Sequence, residues 1–122
     1  MADLAIVIDC AEPEGLASFW TAALGYRRRG AVGQYIALAP ERGQSGPGLI
    51  LQQVPEAKAV KNRVHLDIDL SADEDLDAAV TWLEQLGATR LADGEVHEHG
   101  MHWVRLADPE GNELCVCHEH PS

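Results

Sequence analysis

The sequence predicts an α+β chain of two tandem modules, each in the order strand, helix, three strands (βαβββ). Three observations predict it. Apolar, β-branched runs open each half, at Leu4-Ala5-Ile6-Val7-Ile8 and at Val64-His65-Leu66-Asp67-Ile68. Apolar residues at helical spacing follow each run, Leu16, Phe19, Trp20, Ala23 and Leu24 first, then Leu76, Ala79, Val80, Leu83 and Leu86. The halves also superpose by simple shifts. Ile8-Asp9, Glu14 and Leu16 map onto Ile68-Asp69, Glu74 and Leu76 by 60 positions, and Tyr35-Ile36 and Leu38-Ala39 map onto Trp103-Val104 and Leu106-Ala107 by 68. The additional eight positions are assigned to a longer second helix and longer loops. The chain reads as a single domain over 1–122, with module one at about 1–54, a polar linker at 55–62 and module two at about 63–122.

Each element has its local reason. Glu12-Pro13-Glu14 starts the first helix, because proline at the first turn has no amide hydrogen to leave unpaired, and Gly25 ends it. Arg27-Arg28-Arg29 is too short for a binding patch and reads as a solvated strand edge. Strands follow at Gln34–Ala39 and Leu49–Val54, separated by the turn-rich Pro40–Gly48. In the second half Ser71, with Glu74 three residues on, has the spacing of a capping box, and Gly87 supplies the stop. Strands are expected around Thr89-Arg90-Leu91, at His102–Ala107 and at Glu113–Cys117, the last two joined by the turn Asp108-Pro109-Glu110-Gly111-Asn112.

Composition narrows the function. Twenty acidic against nine basic residues give a net charge of −11, which repels nucleic acid and anionic membrane and attracts cationic small molecules. No signal-peptide pattern or membrane-length apolar run is visible. Cys10, Cys115 and Cys117 cannot all pair within one chain, which fits a reducing cytoplasm. The glycines of Gly43–Gly48 precede no helix, so no phosphate cradle is expected, and no Gly-x-Ser-x-Gly elbow is present.

Phe19-Trp20-Thr21-Ala22-Ala23-Leu24-Gly25-Tyr26 resembles the first-helix signature of the vicinal oxygen chelate superfamily, which includes glyoxalase I, extradiol dioxygenases and bleomycin-resistance proteins. Asp108-Pro109-Glu110-Gly111-Asn112 resembles its turn before the last strand, and Lys61–Asp67 the opening of its second module. The resemblance implies curled mixed sheets around a cavity, helices on the outside, and pairing into a homodimer. It also implies a divalent metal held by the first and last strands of each module, acting as a Lewis acid.

Carried onto this chain, the implied ligand set is incomplete. Ala5 stands at the first position and His65 at its counterpart; Gln52 offers a neutral donor, and Cys115 occupies the place of the family's glutamate, with Glu113 two residues early. The expectation is therefore a metal-independent small-molecule binding protein. The alternative is a metal-dependent lyase, isomerase or dioxygenase using His65, and the cofactor is otherwise unspecified.

His65 is the catalytic and metal-ligand candidate, as ligand, general base or hydrogen-bond anchor, and Asp67 could orient its imidazole. With them, Gln52, Trp103, Glu113 and Cys115 complete the ligand-binding candidates. Trp20 belongs to the core, whereas Trp103 and Tyr35 are either core under the helices or cavity walls. The groups His97, His99, His102 and His118-Glu119-His120 lack zinc-motif spacing and read as mainly exposed loop and tail, open to adventitious metal binding, with His102 beginning a strand and able to reach a cavity mouth.

Overall fold

The computed structural model describes residues 2–119, with Glu119 placed only as part of its strand. The chain divides between Ala59 and Val60 into two compact units. Module one contains β1 (Ala5–Cys10), α1 (Pro13–Leu24), β2 (Tyr26–Val32), β3 (Tyr35–Pro40) and β4 (Gly48–Gln53). Module two contains β5 (Leu66–Asp69), α2 (Leu76–Leu86), β6 (Thr89–Glu98), β7 (Met101–Ala107) and β8 (Glu113–Glu119). The sheets have the same topology, β1-β4-β3-β2 and β5-β8-β7-β6, with the first pair parallel and the others antiparallel. This is the α+β, twice-βαβββ architecture that the repeat predicts.

Each core lies between a helix and one sheet face. In module one Leu16, Phe19 and Trp20 of α1 are buried with Ile36, Leu38, Leu49 and Leu51, and the Phe19 and Trp20 rings meet edge to face at 5.2 Å. In module two Leu76, Val80 and Leu83 are buried with Val104, Leu106, Leu114 and Val116. Strand side chains alternate between faces, so the residues between these core positions lie on the face away from the helix. Outer-strand arginines tie each sheet to its helix. Arg28 makes a two-pronged ion pair with Glu14 at 2.7 and 2.9 Å, and Arg90 at the equivalent register lies 3.6 Å from Glu84. The arginine run is thus an edge strand, as its sequence suggests.

Several local expectations need correction. The second helix starts at Leu76 instead of after Ser71. The one Ser71 hydroxyl proton is shared between the carboxylates of Asp73 (2.7 Å) and Glu74 (2.8 Å), where a cap would accept from backbone amides; only the return bond of the box forms, Ser71 N–H to Glu74 Oε1 at 3.3 Å, and a turn closes over 71–74. Acidic neighbours convert the hydroxyl from acceptor to donor. The second helix is not longer than the first, 11 residues against 12. The surplus lies partly in β6, ten residues long, where four residues (91–94) bulge opposite Arg105; the matching bulge in β2 is the single residue Arg29.

The histidine region also differs. His97 belongs to β6 instead of a loop, and the hairpin turns at His99-Gly100 with φ of 53° and 75°, as a two-residue turn of this kind requires. His118 is a member of β8 instead of a tail, whereas His120 lies outside the described residues.

Candidate functional site

The open face of the second sheet, away from α2, carries a cleft of ≈ 710 Å³. Alternation along the strands decides what lines it. Asp67 of β5, Cys115 of β8 and Arg105 of β7 form one register row, and Asp69, Cys117 and Trp103 form the next. His65 precedes β5, and Glu113 opens β8 on the same face. The cleft therefore gathers His65, Asp67, Trp103, Glu113 and Cys115, five of the six ligand-binding candidates. Gln52 is in module one and is not among the lining residues. Trp103 is a cleft wall and Tyr35 sits on the matching open face of module one, while His102 lies on the helix side of its sheet, away from the cleft.

Asp67 is the electrostatic hub. Its Oδ1 lies 3.3 Å from His65 Nε2. Burial raises the Cys115 thiol to about 11, and the neighbouring Asp67 charge and a hydrogen bond to that carboxylate add to the shift. Cys117 rises to about 12 for the same reasons, with Asp69 contributing. Both thiols are protonated at neutral pH and act as donors to Asp67, so neither is a ready nucleophile. All three cysteines are buried and none is in a disulfide.

Arg105, Lys61, Asp93 and Cys117, outside the candidates that the sequence singles out, also line the cleft. The signal for two of them was available: Arg105 and Cys117 each fall two residues from a named candidate on the same strand, hence on the same face. Asp93 arrives through the β6 bulge. The Arg105 guanidinium donates to the Asp93 carbonyl, and Gly94 lets the chain come close, since a Cβ there would lie 2.7 Å from the Arg105 carbonyl oxygen. Glu113 accepts from the Asn62 amide at 3.0 Å. Asp108 fixes the turn leading into β8 by accepting from the amides of Glu110 and Asn112 and from the Asn112 side chain.

The metal set implied by the superfamily does not fit these residues. In module two the donor atoms of His65, Asp67 and Cys115 lie within 4.8 Å of one another, but the third is a buried thiol where the superfamily has a carboxylate. In module one the register places Ala5, Val7 and Ile50 at the equivalent positions, and none has a ligating atom. Gln52 is the counterpart of Cys117, not of Cys115.

Two βαβββ modules, one carrying an open-face cleft, define a protein of the vicinal oxygen chelate class. The chain belongs to the glyoxalase-like family, whose domain profile matches residues 5–117. No curated protein matches it significantly in sequence. Among solved structures it is similar to a glyoxalase/bleomycin resistance protein/dioxygenase family enzyme of Burkholderia phytofirmans PsJN, with TM-score 0.76 at 17% identity over 96% of this chain and 98% of that one. A glyoxalase/bleomycin resistance protein of Albidiferax ferrireducens T118 gives 0.67 at 16% identity over 94% and 96%. The fosfomycin resistance protein FosX of Listeria monocytogenes gives 0.76 at 10% identity over 97% and 93%. At these identities the likeness is one of fold.

Proposed function

We propose that this chain binds a small molecule in the module-two cleft, without a metal. The observation that carries the reading is the cleft itself. Its ≈ 710 Å³ falls in the range of small-molecule sites, and it pairs an aromatic wall, Trp103, with convergent polar groups. A compound with a flat apolar body and a cationic group suits it, the body against Trp103 and Leu91 and the cation toward Asp67 and Glu113. The net charge of −11 would draw such a compound in. Arg105 lines the same cleft and brings a guanidinium that can donate to an acceptor on the ligand.

Equilibrium binding to bleomycin and to a panel of cationic aromatic amines tests the reading. Giving module two the residues of module one, Asp67→Val with Cys115→Ile, is expected to weaken binding at least about 30-fold, the size of a hot-spot loss. Silence of the whole panel at millimolar concentration would remove the proposal.

A second reading, a metal-dependent lyase, isomerase or dioxygenase, is favoured by the proximity of His65, Asp67 and Cys115. Manganese, iron, nickel or zinc bound by untagged protein and lost in His65→Ala would support it; unchanged uptake in that variant would eliminate it. The proposal includes two further expectations. Three cysteines outside any disulfide suit a reducing cytoplasm, and the family resemblance suits a homodimer, for which light scattering should return twice the 13.2 kDa chain mass.

A further inference from the structure

On the helix side of the second sheet, opposite the cleft, three histidines stand in one row across three strands. His97 of β6 pairs with His102 of β7, and His102 pairs with His118 of β8. Glu95, two residues before His97, shares that face. The geometry is close. His102 Nε2 lies 2.9 Å and His97 Nε2 3.7 Å from the same oxygen, Glu95 Oε1, and the two rings are stacked at 3.8 Å with 19° between their planes.

We propose that Glu95, His97 and His102 form a binding site for a divalent transition ion of the zinc, nickel or copper class. Two imidazoles and one carboxylate are the donors this class prefers. Their ligating atoms all lie within 4.8 Å of one another. Ligands about 2.0–2.1 Å from a tetrahedral ion are themselves about 3.3 Å apart, and the observed separations of 2.9 and 3.7 Å bracket that value. Turning the exposed His97 ring out of its stack on the half-buried His102, with Glu95 following, would converge the three donors on an ion.

A second observation points the same way. His118, next in the row, has an Nε2 shut off from solvent with no hydrogen-bond partner among the described residues. An unsatisfied buried nitrogen is uncommon, and here it belongs to the residue directly across from His102. It is a third imidazole nitrogen, and a fourth donor, in the same neighbourhood. The hairpin supplies the preorganisation: its two-residue turn at His99-Gly100 fixes the register that sets His97 against His102. This site shares no residue with the cleft and stands whether or not the cleft reading holds.

The test uses the full chain, free of any affinity tag, titrated calorimetrically with zinc chloride and separately with nickel chloride. The expected result is one equivalent that weakens at least about tenfold in His97→Ala, as loss of one ligand should produce, and persists in His65→Ala. His97 is largely exposed (63%), so its removal should leave folding intact, and Glu95→Gln provides a second variant of similar shape expected to weaken binding. Line broadening of the His97 and His102 ring protons by nickel would place the ion directly. Absence of uptake by the parent chain, or uptake unchanged in both His97→Ala and Glu95→Gln, would overturn the proposal.

Discussion

The two modules share a backbone plan and differ in what their open faces carry. On the helix sides the equivalent positions stay apolar: Ile36, Leu38, Leu49 and Leu51 in module one, Val104, Leu106, Leu114 and Val116 in module two, all buried. On the open faces the row Val7, Ile50, Ala37 becomes Asp67, Cys115, Arg105. The same register therefore holds an apolar surface in one module and a charged, hydrogen-bonded cleft in the other. Core packing constrains one face of each sheet and leaves the other free for chemistry. Among the described residues, module one's open face keeps polar groups in the next row, Asp9, Gln52 and Tyr35, but has none in this one.

The largest expected effect that sharpens this contrast is in thiol reactivity. A thiol at about 11 is about 100-fold less ionised at pH 8 than one at the ordinary 9.0, so iodoacetamide should alkylate Cys115 at least about 100-fold more slowly than a free thiol. Mass spectrometry of the modified chain measures it. The same shifts give a pH dependence of stability. Both folded-state values lie above 9.0, so the contribution is present below about pH 9 and is lost as pH rises toward 11 for Cys115 and 12 for Cys117. Urea melts at pH 8 and 10.5 should show the decline, and Cys115→Ser with Cys117→Ser should flatten it.

A smaller effect separates the two bulges. Gly94→Ala places a methyl group against the Arg105 and Leu91 carbonyls and should cost about 1–3 kcal/mol in urea unfolding. Gly30→Ala, beside the corresponding bulge in β2, meets nothing within 4 Å and should be neutral. Equal losses would break the contrast between the two bulges. The smallest effect concerns the helix-to-sheet ion pairs. Glu14→Gln, at an exposed pair with Arg28, should leave the unfolding midpoint unchanged within error.

Much of this was legible in the sequence because burial leaves a periodic trace. The paired helical stripes and apolar strands gave both cores, and His65, Asp67, Trp103, Glu113 and Cys115 converge on one cleft. What escaped depends on interactions that residue spacing does not encode. Ser71 matched a capping box, yet the carboxylates of Asp73 and Glu74 captured its hydroxyl. Asp93-Gly94 in the β6 bulge is itself a turn signal, so the sequence pattern places His97 in a loop and does not show its alignment with His102. The sequence places the counterpart of Cys115 near Gln52, but the register that makes it Ile50 is set by pairing across three strands.

The central claim is that module two's open face, and not module one's, holds the ligand. Crystals of the full chain soaked with a panel of small cationic aromatic amines would test it most directly. The account predicts difference density against Trp103, Asp67 and Glu113. Density against Val7, Ile50 and Tyr35 with the module-two cleft empty would contradict it.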